Sequence, residues 1–269
     1  MPRRSRLDAE LVRRGLARSR EHASQLIEQG RVSVKGTTAT KPATGVEIDA
    51  AVVVRTDADD PNYASRGAHK LVGALEKFAA INPEGARCLD AGASTGGFTD
   101  VLLRKGAKQV VAVDVGRGLL DWRLRTDERV VVKDKTNVRA LTPEDIGGTV
   151  DLIVADLSFI SLKLVLPALK ACLDDDGDLV PMVKPQFEVG KERLGSGGVV
   201  RDPALRADAV ISVIEAAAEL GLTTKGVTAS PLPGPSGNVE FFVWLKKGEP
   251  LDADDAAALV RAAVAEGPR

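Results

Sequence analysis

The chain has 269 residues, of which 44% are hydrophobic and 28% are charged, a composition typical of globular proteins rather than of disordered ones. It contains no run of roughly 18 apolar residues, and its arginine-rich start lacks the apolar stretch of a secretory signal, so we expect neither a membrane span nor a leader. With two cysteines and two histidines, the chain is expected to hold neither a disulfide framework nor a metal site, which fits a reducing cytoplasm.

The charge is distributed unevenly along the chain. Residues 1–46 contain 10 Lys and Arg against 4 Asp and Glu, a balance of +6, whereas the remainder contains 27 against 34, a balance of −7. Clustered cations displace the counterions of phosphate groups, so a small basic module ahead of an acidic body favours nucleic-acid binding. A solvated, uninvolved helix face is the alternative interpretation.

The first predicted elements are two short helices followed by small strands. Apolar spacing predicts one helix over residues 7–15 and a second over residues 19–29, with Ser19 as its N-cap and Gly30 after its end. Two short helices and three strands make a module of about 60 residues. The strands are expected at 31–34, 46–48 and 52–54.

This module resembles the S4 RNA-binding domain over residues 5–55. The resemblance is carried by R-L-D at 6–8, G-L-A-R-S-R at 15–20 and G-R-V-S-V-K-G at 30–36. It implies that the second helix and the loop after it present basic groups to structured RNA. The candidate RNA contacts are Arg3, Arg4, Arg6, Arg18, Arg20 and Lys41.

After a polar stretch, the chain alternates predicted strands and helices. We place a first domain at 1–59, a linker at 60–65 and a second domain at 66–269. The alternation predicts an α/β fold with a mostly parallel, seven-stranded, Rossmann-like sheet. The last two strands are joined by LPGPSGN, which is too short for a crossover helix, so they should form an antiparallel hairpin at the sheet edge. The expected strands are 87–90, 109–114, 130–132, 152–156, 179–183, 226–229 and 240–245, and the expected helices include 97–105, 162–173 and 203–220.

The loop after the first strand of the body predicts a cofactor site. Its small residues let a ligand approach the start of the next helix. Ser94 breaks the G-x-G-x-x-G dinucleotide pattern and Asp90 would repel a pyrophosphate, which disfavours a nicotinamide enzyme. The cationic amino acid portion of S-adenosylmethionine suits this loop better. The candidate contacts are Asp90, Gly92, Ala93, Ser94, Gly96, Gly97 and Phe98.

Acidic residues at the ends of later strands extend this candidate site. Asp114 ends the second strand, where a carboxylate can accept hydrogen bonds from both ribose hydroxyls. Asp134 follows the third strand and could accept from an adenine amino group, and Asp156 also borders the cofactor site. A helix cap or a solvated loop residue is the alternative for these acids.

Two lysines and two carboxylates at element ends form the candidate catalytic set. Their charges sum to zero, so they can be buried together. A lysine whose pKa is lowered by its neighbours can remove the proton of a ribose 2′-hydroxyl while the oxygen attacks an electrophilic methyl group. The four are Lys70 in SRGAHKL, Asp156 in ADLSFIS, Lys184 in VKPQFE and Glu240 in GNVEFF.

Roles within this set and around it can be predicted. Lys184 is expected to be the base, with Asp156 and Lys70 orienting the oxygen and Glu240 holding a lysine. Phe159 follows Asp156 and could stack on a flipped target base, with core packing as the alternative. A further candidate RNA contact near the set is Arg66.

Residues 64–246 resemble the FtsJ/RrmJ group of ribose methyltransferases, whose signature is a K-D-K-E tetrad that these four residues match in order. With its S4-like start, the whole chain resembles the hemolysin-A (TlyA) family of ribosomal RNA cytidine-2′-O-methyltransferases. The resemblance implies a class I methyltransferase fold and S-adenosylmethionine as cofactor. It also implies ribosomal RNA of the 30S and 50S subunits as partner, with one cytidine in 16S and one in 23S RNA. The family name implies membrane lysis, but the chain has no spanning segment, so we expect no integral membrane association, and we expect no DNA partner.

Two other function classes stay open at this stage. A non-catalytic RNA-binding factor of ribosome assembly could keep the fold, although the intact tetrad argues against it. A membrane-active hemolysin would need a basic amphipathic helix. The C-terminal LDADDAAALVRAAVAEG is amphipathic but begins acidic, which predicts a helix that closes the domain.

Overall fold

The computed structural model describes residues 4–17, 20–55 and 61–267, and the chain divides into two compact units, residues 1–62 and 63–269. Arg3, Arg18 and the expected N-cap Ser19 lie outside the described residues. The predicted linker overlaps the division between the units, and its limits stay predictions.

The N-terminal unit packs two short helices with small antiparallel strands. Its elements are β1 (Arg4–Arg6), α1 (Leu7–Arg13), α2 (Arg20–Glu28), β2 (Val32–Val34), β3 (Thr37–Thr38), β4 (Gly45–Glu47) and β5 (Val52–Val54). Strand β1 pairs with β4, and β2 lies between β3 and β5. Leu7 and Leu11 of α1 and Leu26 and Ile27 of α2 share one buried core, as the helical spacing predicts. Each predicted helix and strand is present within two residues of its expected limits.

The C-terminal unit contains one seven-stranded sheet. Its strands are β6 (Arg87–Ala91), β7 (Gln109–Val113), β8 (Val130–Lys133), β9 (Val150–Ala155), β10 (Leu173–Val183), β11 (Leu222–Ala229) and β12 (Phe241–Lys247). Their spatial order is β11-β12-β10-β9-β6-β7-β8. Strand β12 is antiparallel to both of its neighbours, while β10, β9, β6, β7 and β8 run parallel. The mostly parallel sheet with an antiparallel pair at its edge confirms the predicted fold class.

Helices cover both faces of this sheet. They are α3 (Gly67–Lys77), α4 (Gly97–Arg104), α5 (Trp122–Arg125), α6 (Pro143–Ile146), α7 (Leu166–Cys172), α8 (Pro185–Glu188), α9 (Pro203–Glu219) and α10 (Ala253–Glu266). Successive residues of β6 face opposite sides, so Cys88 joins the core with α3 and α4 while Leu89 joins the core with α7, α9 and α10. The sheet is therefore the central layer of a three-layer domain.

One helix near the sheet differs in detail from the sequence expectation, and the C-terminal helix agrees with it. The helix predicted over 162–173 is divided into a 3-10 turn at Leu162–Leu164 and α7. Pro167 lies in the first turn of α7, where its missing N–H has no partner to lose, so the helix begins there. The C-terminal α10 buries Val260 and Ala263 against the sheet. Across residues 4–17, 20–55 and 61–267, none of the helices combines the length and the hydropathy that a membrane crossing requires.

Candidate active site

The candidate catalytic residues and most of the cofactor candidates collect at the carboxyl edge of the parallel strands. Strand β6 lies between β9 and β7, so the chain leaves β6 in one direction and later returns on its other side. Open α/β sheets bind ligands in the crevice at such a reversal of strand order. Asp90, Asp114 and Asp156 all lie at or next to the carboxyl ends of these strands.

The first ion pair of the site joins neighbouring parallel strands. Asp156 directly follows β9 and Lys184 directly follows β10. The Nζ of Lys184 lies 2.6 Å from Oδ1 of Asp156 and donates a hydrogen bond of 2.9 Å to Oγ of Ser158. Lys184 is 8% exposed, and Pro185 begins α8 directly after it, which ends the strand at this lysine. The backbone turn at Pro185 therefore fixes the position of the lysine, and Asp156 and Ser158 hold its amino group.

The second ion pair joins residues 170 positions apart in the chain. Lys70 of α3 donates a hydrogen bond of 2.5 Å from Nζ to Oε2 of Glu240, which directly precedes β12. Both residues are buried, at 6% and 1% exposure. Because Val183 pairs with Phe241 in the sheet, Lys184 and Glu240 each lie one residue beyond the same point of adjacent strands. The structure thus brings the predicted set together as two ion pairs.

Asp90 is a fully buried carboxyl with one free acceptor. Its Oδ2 accepts a hydrogen bond of 2.6 Å from Oγ1 of Thr99, whereas its Oδ1 is buried without a hydrogen-bond partner. Burial raises the pKa of Asp90 to about 7, because the charged form loses water. An unsatisfied buried acceptor of this kind favours a cationic donor. It fits the positively charged amino group of S-adenosylmethionine.

The backbone after Asp90 passes very close to the strand end that carries Asp156. Gly92 has a φ of +89°, and a Cβ on it would lie 2.5 Å from the main-chain oxygen of Asp156. Gly97 is equally constrained, since a Cβ there would lie 2.3 Å from Oγ of Ser65. Glycine is therefore required at both positions for packing, whatever the ligand. Ala93 is 6% exposed beside them, and Gly96 is the N-cap of α4.

Asp114 uses both carboxylate oxygens to shape the loops around it. Its Oδ2 accepts from the main-chain N of Ser94 at 2.8 Å, and its Oδ1 accepts from that of Gly116 at 2.7 Å. A carboxylate oxygen carries more than one lone pair, so each can accept a further hydrogen bond from a ligand. Asp114 therefore links the two loops that border the predicted ribose position.

Two cofactor candidates are already engaged by the protein. Asp134 accepts from the main-chain N of Gly118 and from Arg125, each at 3.1 Å, and these contacts keep its pKa below the usual range. Phe98 is 3% exposed and its ring lies 6.0 Å from that of Phe242 in the core. Only the main chain of Phe98 is therefore available to a ligand.

Phe159 lies on the surface beside the first ion pair. It is 90% exposed, so the alternative of a core phenylalanine is wrong. Its φ of +63° is uncommon for a residue with a side chain, and its ring lies 5.2 Å from that of Phe187 in α8. The loop thus turns an aromatic face outward next to Lys184 and Asp156.

Residues that the sequence reasoning did not single out hold this loop. Glu188 accepts hydrogen bonds from Oγ of Ser161 at 2.5 Å and from the main-chain N of Leu162 at 2.7 Å. Ser158 receives the hydrogen bond from Lys184. Glu188 and Ser158 lie within VKPQFE and ADLSFIS, the same motifs that contain Lys184 and Asp156. Their roles depend on a contact between two loops, which no local pattern shows.

The basic candidates of the N-terminal unit fall into two kinds. Arg6 and Arg20 each donate to Oδ2 of Asp8 at 2.9 Å, and these contacts hold the pKa of this 3% exposed carboxyl well below its usual range. Their guanidinium groups therefore have a structural partner in addition to any RNA contact. Arg4 and Lys41 are exposed.

Arg66 belongs to the C-terminal unit. It is exposed and stands at the N-cap of α3, one turn before Lys70, with its Nη2 3.5 Å from the main-chain oxygen of Pro233. In the ranges that the structure describes, no group of three or more His, Cys, Asp or Glu side chains is arranged to hold a metal ion.

Comparison with known proteins identifies the family. The family model for FtsJ-like methyltransferases matches residues 63–247, and that for the S4 domain matches residues 5–52. The chain is 61% identical, over the full length of both proteins, to the 16S/23S rRNA (cytidine-2′-O)-methyltransferase TlyA of Mycobacterium tuberculosis. It is 37% identical to Hemolysin A of Brachyspira hyodysenteriae, across 88% of this chain and 98% of that protein.

A solved structure agrees with this result. A hemolysin-named protein from Streptococcus thermophilus superposes with a TM-score of 0.77 at 38% identity, covering 99% of this chain and 97% of the other. Since the similarity spans both units, the chain belongs to the TlyA family of FtsJ-like methyltransferases, with an S4 domain ahead of its methyltransferase domain.

Proposed function

We propose that this enzyme transfers a methyl group from S-adenosylmethionine to the 2′-hydroxyl of cytidines in 16S and 23S ribosomal RNA, within the 30S and 50S subunits. The observation that carries the proposal is the presence of two ion pairs at the carboxyl edge of the sheet, the half-buried Lys184–Asp156 and the buried Lys70–Glu240. The full-length similarity to a protein named for this reaction supports the choice of substrate. A reaction on ribosomal subunits belongs in the cytoplasm.

The cofactor would be held by the loop after β6 and by acids at strand ends. When bound, S-adenosylmethionine supplies an electrophilic methyl group. Asp90 would accept from the amino group of its amino acid portion through the free Oδ1. Asp114 would accept from the ribose hydroxyls, while Ser94, Gly92 and the loop around them border the ligand. Asp134 would accept from an adenine amino group in addition to Arg125, with which it already forms an ion pair.

The proton of the 2′-hydroxyl would pass to the neutral amine form of Lys184, which forms when the ion-paired ammonium group first gives a proton to water. Its Nζ already contacts Asp156 and Ser158, so a substrate oxygen arriving between Lys184 and Asp156 would find both a base and a hydrogen-bond acceptor. Lys70 would orient the same oxygen while Glu240 fixes the position of Lys70. Phe159 would stack on the target base once it leaves the RNA helix, since its exposed ring stands beside this ion pair.

Mass mapping of methyl groups on ribosomal RNA tests this function. Subunits from cells that lack the gene should carry unmodified cytidines, and purified enzyme with S-adenosylmethionine should add one methyl group to 16S and one to 23S RNA. Lys184→Ala enzyme at the same concentration is the control, and it should add neither. Modification of a base atom, or no modification in either subunit, would show that the assigned reaction is wrong.

A further inference from the structure

An open groove outside the proposed catalytic site collects positive charge. It has a volume of about 890 Å³ and lies between the start of α9, the end of α10 and the loop before β12. Arg201, Arg206 and Arg261 line it, and its lining contains neither aspartate nor glutamate. From residue 47 onward the chain holds 27 Lys and Arg against 34 Asp and Glu, so the groove departs locally from an acidic body.

Two of these arginines take part in no ion pair among the described residues. Within residues 61–267, as the structure describes them, neither Arg206 nor Arg261 forms an ion pair. Arg206 is half-buried and donates from Nε to the main-chain oxygen of Val200 at 3.0 Å, which leaves the rest of its guanidinium for another acceptor. Asp202 is close enough to interact electrostatically with Arg206, but it forms no ion pair with it and its Oδ1 caps α9 by accepting from the main-chain N of Ala204. A partly desolvated guanidinium that no carboxylate binds directly favours binding of an anion.

One loop connects the groove to the candidate active site. Ser236 and Gly237 line the groove, and Glu240 of the second ion pair follows three residues after Gly237. Between them, the buried Asn238 accepts from the main-chain N of Val200 at 2.9 Å and donates to the main-chain oxygen of Gly198 at 3.0 Å. These bonds tie the opposite wall of the groove to the same loop, so the groove has a fixed position next to Glu240.

We propose that this groove binds backbone phosphates of the substrate RNA strand adjacent to the target nucleotide. The inference rests on the proposed function, which makes RNA the anion present at this edge. Guanidinium groups bind phosphate oxygens with two parallel hydrogen bonds, which fixes the position of the strand as well as its affinity. The groove thus supplies a second RNA contact, in the methyltransferase domain itself, that positions the nucleotide over the ion pairs.

The test compares Arg261→Glu with Lys108→Glu. Both reverse one exposed cation, but Lys108 directly precedes β7 and so lies at the opposite, amino edge of the sheet. Arg261→Glu should raise the Kd for purified 30S and 50S subunits at least about tenfold. The slope of log Kd against the logarithm of the salt concentration should fall by roughly 0.7 to 0.9 for each lost phosphate contact. Cofactor affinity and the melting temperature should not change, and Arg261→Lys, which keeps the charge but not the two parallel hydrogen bonds, should retain only part of the affinity.

Three results would decide against the groove or against the function. Equal affinity losses in Arg261→Glu and Lys108→Glu would show that the groove is not a phosphate site. A loss toward intact subunits but not toward protein-free 16S and 23S RNA would assign the groove to a ribosomal protein instead. If the wild type binds the 30S and 50S subunits without methylating their RNA, the proposed function fails, while the binding comparison still decides the role of the groove.

Discussion

At the scale of single residues, Lys184 can be tested for proton transfer separately from binding. Lys184→Ala should keep the affinity for cofactor and RNA but lose methyl transfer by at least about a hundredfold, which is typical of a positioned base. Lys184→Arg should not restore the rate, because a guanidinium keeps its proton. Single-turnover transfer of labelled methyl groups to ribosomal subunits measures this.

The arginine variant can also contradict the assignment of Lys184 as the base. A Lys184→Arg enzyme with near wild-type transfer would show that position 184 only stabilises charge and that water removes the proton. The matched reference is Lys163→Arg, at an exposed lysine of the 3-10 turn Leu162–Leu164 that lies outside both ion pairs. Its rate should equal that of the wild type.

Asp90 should make cofactor affinity and stability respond to pH in opposite directions. Its pKa is raised to about 7 by burial, so between its unfolded value near 4 and pH 7 the folded state holds a proton that the unfolded chain has lost. The free energy of unfolding therefore falls as the pH rises through this window. Cofactor affinity should rise over the same range, because the ammonium group needs the carboxylate form.

Asp90→Asn separates these two effects. Without the ionisation, the variant should melt higher than the wild type at pH 8, by about 2 to 4 °C for each kcal/mol recovered, and match it more closely at pH 5. Calorimetry should show at least about a tenfold loss of cofactor affinity at pH 8. A variant that binds cofactor as the wild type does at pH 8 would remove Asp90 from the cofactor site.

At the scale of elements, the loop between β9 and α7 presents Phe159 on a rigid support. The hydrogen bonds from Lys184 to Ser158 and from Ser161 to Glu188 tie the loop at both ends. Phe159→Ala should therefore lower methyl transfer at least about tenfold with an unchanged melting temperature, since a 90% exposed ring adds little to the core. Leu164→Ala, which shortens a 49% exposed side chain in the same connection, serves as the control.

Melting curves and transfer rates measured side by side distinguish the possible roles of this ring. Full activity in Phe159→Ala would mean that the target base is held without it. If the melting temperature falls together with the activity, the ring has a structural role through its contact with Phe187.

At the scale of the whole molecule, the N-terminal unit should supply RNA affinity and little chemistry. Every residue in the two hydrophobic cores of the methyltransferase unit lies beyond residue 62, so removing residues 1–60 leaves those cores complete. The truncated protein should keep its cofactor affinity and lose binding to ribosomal subunits. Calorimetry, circular dichroism and subunit binding check this together. Methylation of subunits at the full rate would contradict it.

Point variants in this unit must respect its internal ion pairs. Arg20→Glu would place an acid against the buried Asp8 and damage the fold as well as any RNA contact. Lys41 is exposed and Lys41→Glu is therefore the cleaner variant, which should weaken RNA binding and reduce its salt dependence.

The sequence by itself determined the elements and the edge at which the candidate site lies. Helix and strand periodicities are local, so the strands and their mostly parallel direction could be predicted from spacing and connection length. Acids and lysines that end parallel strands must meet at one edge, so the sequence alone predicts that Asp90, Asp114, Asp156 and Lys184 lie near each other.

Only the tertiary structure decided which groups pair and which are left free. Lys70 and Glu240 are 170 residues apart, and their contact depends on strand order and on the direction of each side chain. Likewise, the exposure of Phe159 and the free oxygen of Asp90 follow from what other elements pack against them. A periodic pattern records the face on which a residue lies, whereas pKa, partner and exposure depend on neighbours distant in sequence, which only the folded chain brings together.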